Sequence, residues 1–145
     1  MRYLLDASAL LPLVTRRGKQ LIVEASHENL VTTDLAIYEA CNSLWKLATL
    51  LKIISLENAV DVAATIKDLI AGKMIQLIDV TNLDLPQTFN KARKEQITFY
   101  DASYIMSAKA MEAVLVTEDE KLLKVASRFV KTITYTDLES RLIQG

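Results

Sequence analysis

What this chain is short of narrows its chemistry first. Cys41 is the one cysteine among 145 residues, which excludes an internal disulfide framework and cysteine-rich zinc sites. His27 is the one histidine. It lies in a polar stretch, reads as a surface residue, and leaves histidine triads and histidine zinc sites without a second member. The three glycines, Gly18, Gly72 and Gly145, build no phosphate-cradling loop, so the Walker A and dinucleotide fingerprints are absent. No apolar run approaches the ~18 residues of a membrane span. The chain starts straight into a strand, with no signal-peptide layout. A cytoplasmic protein without membrane contact is therefore expected. Net charge is −1, so nucleic-acid contacts would have to come from local basic clusters rather than from a global field. Carboxylates are nearly the only catalytic side chains left.

Hydrophobic residues make up 51% of the chain, enough for a substantial core, and the length predicts a single domain over 1–145. Tyr3-Leu4-Leu5 and Val114-Leu115-Val116 are apolar without alternation, as in strands buried on both faces of a parallel sheet. Further strands are expected at 30–33, 74–80 and 132–135. Helical patterns lie between them. A first helix opens at Ala7 and gives way to a basic loop at 15–19, and 20–28 reads as a second. Others are predicted over 35–51 with Asp34 as cap, over 56–71 between Ser55 and Gly72, over 84–96, over 101–112 and over 119–128. Thr117 with Glu120, and Thr136 with Glu139, have capping-box spacing. The alternation predicts an α/β fold: a parallel sheet with helices on both faces and right-handed crossovers.

In such a sheet the carboxyl ends of the strands share one edge, and ligands bind there. Asp6 follows the first strand, Asp119 follows 114–117, and Asp101 opens an apolar helix. Each has an alternative role, as a helix cap or as part of a solvated acidic run. Glu39 has small or apolar helical neighbours, Leu35, Ala36, Asn42 and Ser43. A carboxylate in that surround needs a cation or a basic partner, for which Lys46 and Arg93 are the alternatives. Gathered in one cleft, these acids would suit Mg²⁺ or Mn²⁺, hard cations that take oxygen ligands and assist phosphoryl chemistry. Ser8, Asn42 and Thr117 are candidate supporting groups.

Leu5-Asp6-Ala7-Ser8, Tyr38-Glu39-Ala40-Cys41-Asn42, Tyr100-Asp101-Ala102-Ser103-Tyr104 and Leu115-Val116-Thr117-Glu118-Asp119 stand in the order and spacing of one family. Together they make the chain similar to the PIN domain, and specifically to the VapC ribonuclease toxins of VapBC toxin–antitoxin modules. That resemblance implies strand order 3-2-1-4-5. It implies that Asp6, Glu39, Asp101 and Asp119 surround Mg²⁺ or Mn²⁺, with Ser8 and Thr117 in support; the family pattern Thr-x-Asp selects Asp119 over Glu118 and Glu120. It also implies RNA as substrate, a homodimer, and a cognate antitoxin that binds near the active site.

The expected activity is endoribonucleolytic hydrolysis by a metal-activated water. Arg16, Arg17, Lys19, Lys91, Arg93 and Lys94 are candidate phosphate contacts. A housekeeping RNA-processing nuclease and a non-catalytic α/β binding module are the competing readings. A response-receiver domain would need paired acids after strand one, and an aspartyl-phosphate phosphatase would need Asp-x-Asp, where this chain has Asp6 and Ser8.

Overall fold

The computed structural model describes residues 1–23 and 29–144. His27 and the far part of the helix expected over 20–28 lie outside them. The described elements run β1 (Arg2–Leu5), α1 (Ala7–Val23), β2 (Asn29–Thr33), α2 (Asp34–Trp45), α3 (Leu56–Ala71), β3 (Ile75–Ile78), α4 (Leu85–Glu95), α5 (Phe99–Ala110), β4 (Val114–Val116), α6 (Glu120–Ala126), β5 (Thr132–Ile133) and α7 (Tyr135–Gln144). A π-helical turn, Lys46–Leu50, extends α2, and a 3₁₀ turn, Val80–Asn82, follows β3.

All four strand pairings are parallel and the order is β3-β2-β1-β4-β5. The apolar runs explain its centre. Tyr3, Leu4 and Leu5 of β1 and all of β4 are buried, as strands covered on both faces must be. Leu5 stands level with Thr32 on one side and Val116 on the other, so β1 and β4 end together and β2 one residue further on. Among the described residues no helix is long and apolar enough to cross a membrane.

Several local expectations are corrected. The basic loop at 15–19 does not form: α1 runs unbroken through Pro12 and Gly18. Gly18 is buried against α3, where a Cβ would lie 2.9 Å from Thr65 Cγ2. Its role is close helix approach rather than a turn, and Arg16, Arg17 and Lys19 therefore sit on a helix. Thr33, not Asp34, caps α2, accepting from the Ala36 N–H at 3.1 Å. Asp34 instead accepts from the Val80 N–H at 3.1 Å, tying α2 to the end of β3.

Thr98, not Asp101, caps α5, and the helix starts two residues earlier than expected. The cap of α6 is Asp119 itself, accepting from the N–H groups of Lys121 and Leu122. Thr117 Oγ1 accepts from the Asp119 N–H, one residue before the helix, and donates to Asp6, so it stands outside the cap. At α7 the reciprocal pair is Thr134 with Asp137, which leaves Glu139 free to take Arg16 and Tyr135.

Candidate active site: a carboxylate depression at the sheet edge

Asp6 is the first residue past β1, and its N–H still donates to the Val116 carbonyl at 3.2 Å. The sheet therefore fixes its backbone. Its side chain is 4% exposed and is held on both oxygens. Oδ1 accepts from Ser8 Oγ at 2.6 Å and from the Ala9 N–H at 3.0 Å, and Oδ2 accepts from the Thr117 hydroxyl. Asp6 thus caps α1 and points into the edge at once.

The same two hydroxyls organise the neighbouring loop. Ser8 Oγ accepts from the Glu118 N–H at 2.8 Å, and Thr117 Oγ1 from the Asp119 N–H at 3.0 Å. β1 and β4 being adjacent, the turn after β4 is thereby pinned over the end of β1.

Asp6, Glu39, Asp101 and Asp119 line one depression of about 230 Å³, with Ser8, Ser43 and Tyr104 among the other walls. Glu39 is half-buried on α2, and its partner is Tyr104, whose hydroxyl donates to Oε1 at 2.5 Å. Neither Lys46 nor Arg93 pairs with it among the described residues. Tyr104 is buried on α5, one turn after Asp101. Asn42 is exposed and faces an adjoining hollow instead. Within the acidic run, Asp119 faces the depression, while Glu118 Oε1 accepts from the Tyr135 N–H at 2.7 Å.

The carboxylates act on one another. Burial raises the Asp6 carboxyl above its ordinary range, and the Asp119 charge adds to this, against the bonds from Ser8, Thr117 and Ala9. Partial burial, then the charges of Asp119 and Glu39, raise Asp101, with Lys121 opposing. Burial, followed by the bond to Glu39, pushes the Tyr104 phenol far above its usual value, so it stays a donor.

None of the six basic candidates lines the depression. Arg16 pairs with Glu139 at 2.7 Å, and Lys91 sits 3.6 Å above the Phe129 ring. Residue-type reasoning missed Tyr104. The i, i+3 spacing from Asp101 to Tyr104 was the available signal.

The lining donors are all oxygen, with no histidine or cysteine, which is the chemistry of a hard divalent cation. Among the described residues, no three acidic, histidine or cysteine side chains form a ready-made ion site. A larger cavity, about 680 Å³, lies between α1, α2 and α3, away from the acids and mostly apolar.

A family model described as the PIN domain matches residues 3–128. Exonuclease VapC9 of Pyrobaculum aerophilum is 35% identical over 145 residues, covering 99% of this chain and 96% of its own. The crystal structure of PAE2754 from Pyrobaculum aerophilum matches with a TM-score of 0.76 at 29% identity, over 100% of this chain and 91% of that one. A chain of VapBC-1 from nontypeable Haemophilus influenzae matches with a TM-score of 0.57 at 17% identity, over 94% and 99% of the two chains. At that identity the last likeness concerns the fold.

Proposed function

The chain belongs to the PIN domain family, and from that premise we propose that it is a metal-dependent ribonuclease, the toxin of a toxin–antitoxin pair. The observation that carries the reading is the meeting of Asp6, Glu39, Asp101 and Asp119 in one depression at the carboxyl edge of the sheet. Mg²⁺ or Mn²⁺ fits this all-oxygen donor set, with the four acids as its holders. Such a cation supplies charge to stabilise phosphoryl oxygens and to activate water.

The chain's own groups have separable tasks. Ser8 and Thr117 fix Asp6 in one orientation, and Tyr104 fixes Glu39. Asp101 and Asp119 enter from the first turn of α5 and the start of α6, the less buried side of the depression. Lys121, on the first turn of α6 after Asp119, is a further candidate for a substrate phosphate. Arg17, Lys19, Arg93 and Lys94 are left as contacts for more distant phosphates.

Cleavage within the RNA chain is the primary reading. The 35%-identical relative is named an exonuclease, which supports end-directed cleavage as the second. One assay separates them: linear and circular RNA incubated with Mg²⁺, with Mn²⁺ and with chelator. Metal-dependent cutting of the circle is expected. A circle left whole while linear RNA is shortened from an end would assign exonuclease action. Inertness on both RNAs with either metal would remove the nuclease reading. The antitoxin is expected to relieve growth arrest and to abolish cutting when the two are produced together; a homodimer is expected by sedimentation.

A further inference from the structure

Two of the four acids are each preceded by an exposed tyrosine. Tyr38 precedes Glu39 and is 77% exposed; Tyr100 precedes Asp101 and is 59% exposed. Successive helical residues point about 100° apart. While Glu39 and Asp101 turn into the acid depression, the tyrosines turn onto the surface beside it. There they meet: Tyr38, Tyr100, Leu35 and Asn42 line a hollow of about 370 Å³ that shares Glu39 and Ser43 with the depression. Beyond it, Tyr38 and Tyr100 also border a mostly apolar hollow of about 250 Å³ that continues past Phe99.

We propose that Tyr38 and Tyr100 stack the base next to the cut phosphodiester. The proposal rests on the ribonuclease reading of the acid depression. Its occupant follows from continuity and charge. A hollow that shares Glu39 and Ser43 with the reacting site is placed for the nucleotide adjoining the reacting phosphate. Its rim carries Glu39, which repels phosphate but tolerates a neutral base. Aromatic faces take any base by stacking, whereas a base in a duplex is already stacked and turns out only at the cost of unstacking. The two tyrosines leave the core intact when altered, because neither belongs to it.

The test is binding in chelator, where cleavage is off, measured by anisotropy of an end-labelled single-stranded RNA and of a set of oligomers each lacking one base. Wild type should bind one abasic oligomer about tenfold more weakly than the intact RNA. Tyr38→Ala and Tyr100→Ala should bind the intact RNA about as weakly as wild type binds that oligomer, and should lose the abasic penalty. Tyr38→Phe and Tyr100→Phe should behave as wild type, since stacking needs the ring and not the hydroxyl.

Alanine variants with wild-type affinity would overturn the proposal, as would phenylalanine variants as weak as the alanine ones. So would a fall in sedimentation coefficient of the alanine variants, which would put these rings between two copies of the chain. If wild type neither binds nor cuts any RNA, the ribonuclease reading falls and takes this with it. If it binds and cuts while the alanine variants match it, stacking alone falls.

Discussion

The Tyr104 hydroxyl donates to Glu39 Oε1 at 2.5 Å, linking α5 to α2 across the mouth of the sheet. Tyr104 is buried and its proton firmly held, so the bond has one sense: the phenol gives, the carboxylate receives. It restrains the glutamate among the four acids, the longest of their side chains, which has no other partner among the described residues.

Tyr104→Phe keeps the ring and removes the donor. Glu39 is half-buried, so water replaces part of the lost bond, and the stability loss should be about 1 kcal/mol. Cleavage should fall about tenfold or more, because the carboxylate is no longer held in one place. A purely structural tyrosine would not move the metal response; a positioning one should raise the Mg²⁺ concentration at half-maximal activity. An unchanged Mg²⁺ midpoint would return Tyr104 to the core.

Thr117→Val makes the matching change at Asp6. Threonine and valine are close in shape, but Thr117 is fully buried and its hydroxyl serves both Asp6 and the Asp119 N–H. The loss should be about 1–3 kcal/mol at pH 7. Donor bonds favour the ionised carboxylate, so without this one the Asp6 carboxyl rises further. The deficit should therefore grow as pH rises above the unfolded value of ~4 and shrink below it. Denaturation at pH 4 and pH 7 checks this; an equal deficit at both would show that the hydroxyl does not act through Asp6.

Much of this architecture was legible along the chain, for reasons that differ by element. β1 and β4 announced themselves because a strand buried on both faces needs an unbroken apolar run, and their order with the helices fixed a parallel sheet. The helix caps were legible as a class but not one by one. Thr33, Asp34, Thr98 and Asp101 are all good caps, and only the packing decides which one faces the helix end. Tyr104 was hidden because a tyrosine in an apolar helix reads as core, and what distinguishes it is a carboxylate 65 positions away. The unbroken α1 was missed because glycine signals a turn as readily as a close approach, and that difference lies in α3.

Gly18→Ala tests that last point. Alanine gains up to about 1 kcal/mol in helix propensity over glycine. Against this, its Cβ would meet Thr65 Cγ2 at 2.9 Å, and Thr65 is held by a bond from its hydroxyl to the Asp61 carbonyl at 2.8 Å. Overpacking of this kind costs about 1–3 kcal/mol. The single variant should lose about 1 kcal/mol net, and Thr65→Ser, which removes the obstructing methyl, should restore stability when combined with it. A stable single variant, or a double variant no better than the single, would mean that α1 and α3 are not in close contact there.

The last prediction separates a supporting role from a ligand role at Asp101. Thr98 already caps α5, so Asp101→Asn leaves the cap in place. What the substitution removes is one negative charge from a depression lined by four acids. Burial and the charges of Asp119 and Glu39 raise the Asp101 carboxyl in the folded state, with Lys121 opposing. Below the unfolded pKa of ~4 the group is protonated whether the chain is folded or not, and the two proteins should be equally stable. As pH rises through the raised folded value, the native state must ionise where ionisation is disfavoured, and wild type loses stability. Metal-free Asp101→Asn should therefore melt higher at pH 7. The group is substantially solvated, so screening holds the gain to no more than ~1 kcal/mol. Mg²⁺ or Mn²⁺ should then reverse the order by stabilising wild type more, since a cation that binds only the native state shifts folding by mass action. RNA cleavage should fall by orders of magnitude. Melting curves with chelator and with metal at pH 4 and pH 7, beside one cleavage assay, make the comparison. An active variant with an undiminished metal response would take Asp101 out of the metal site and leave the other three acids to hold it.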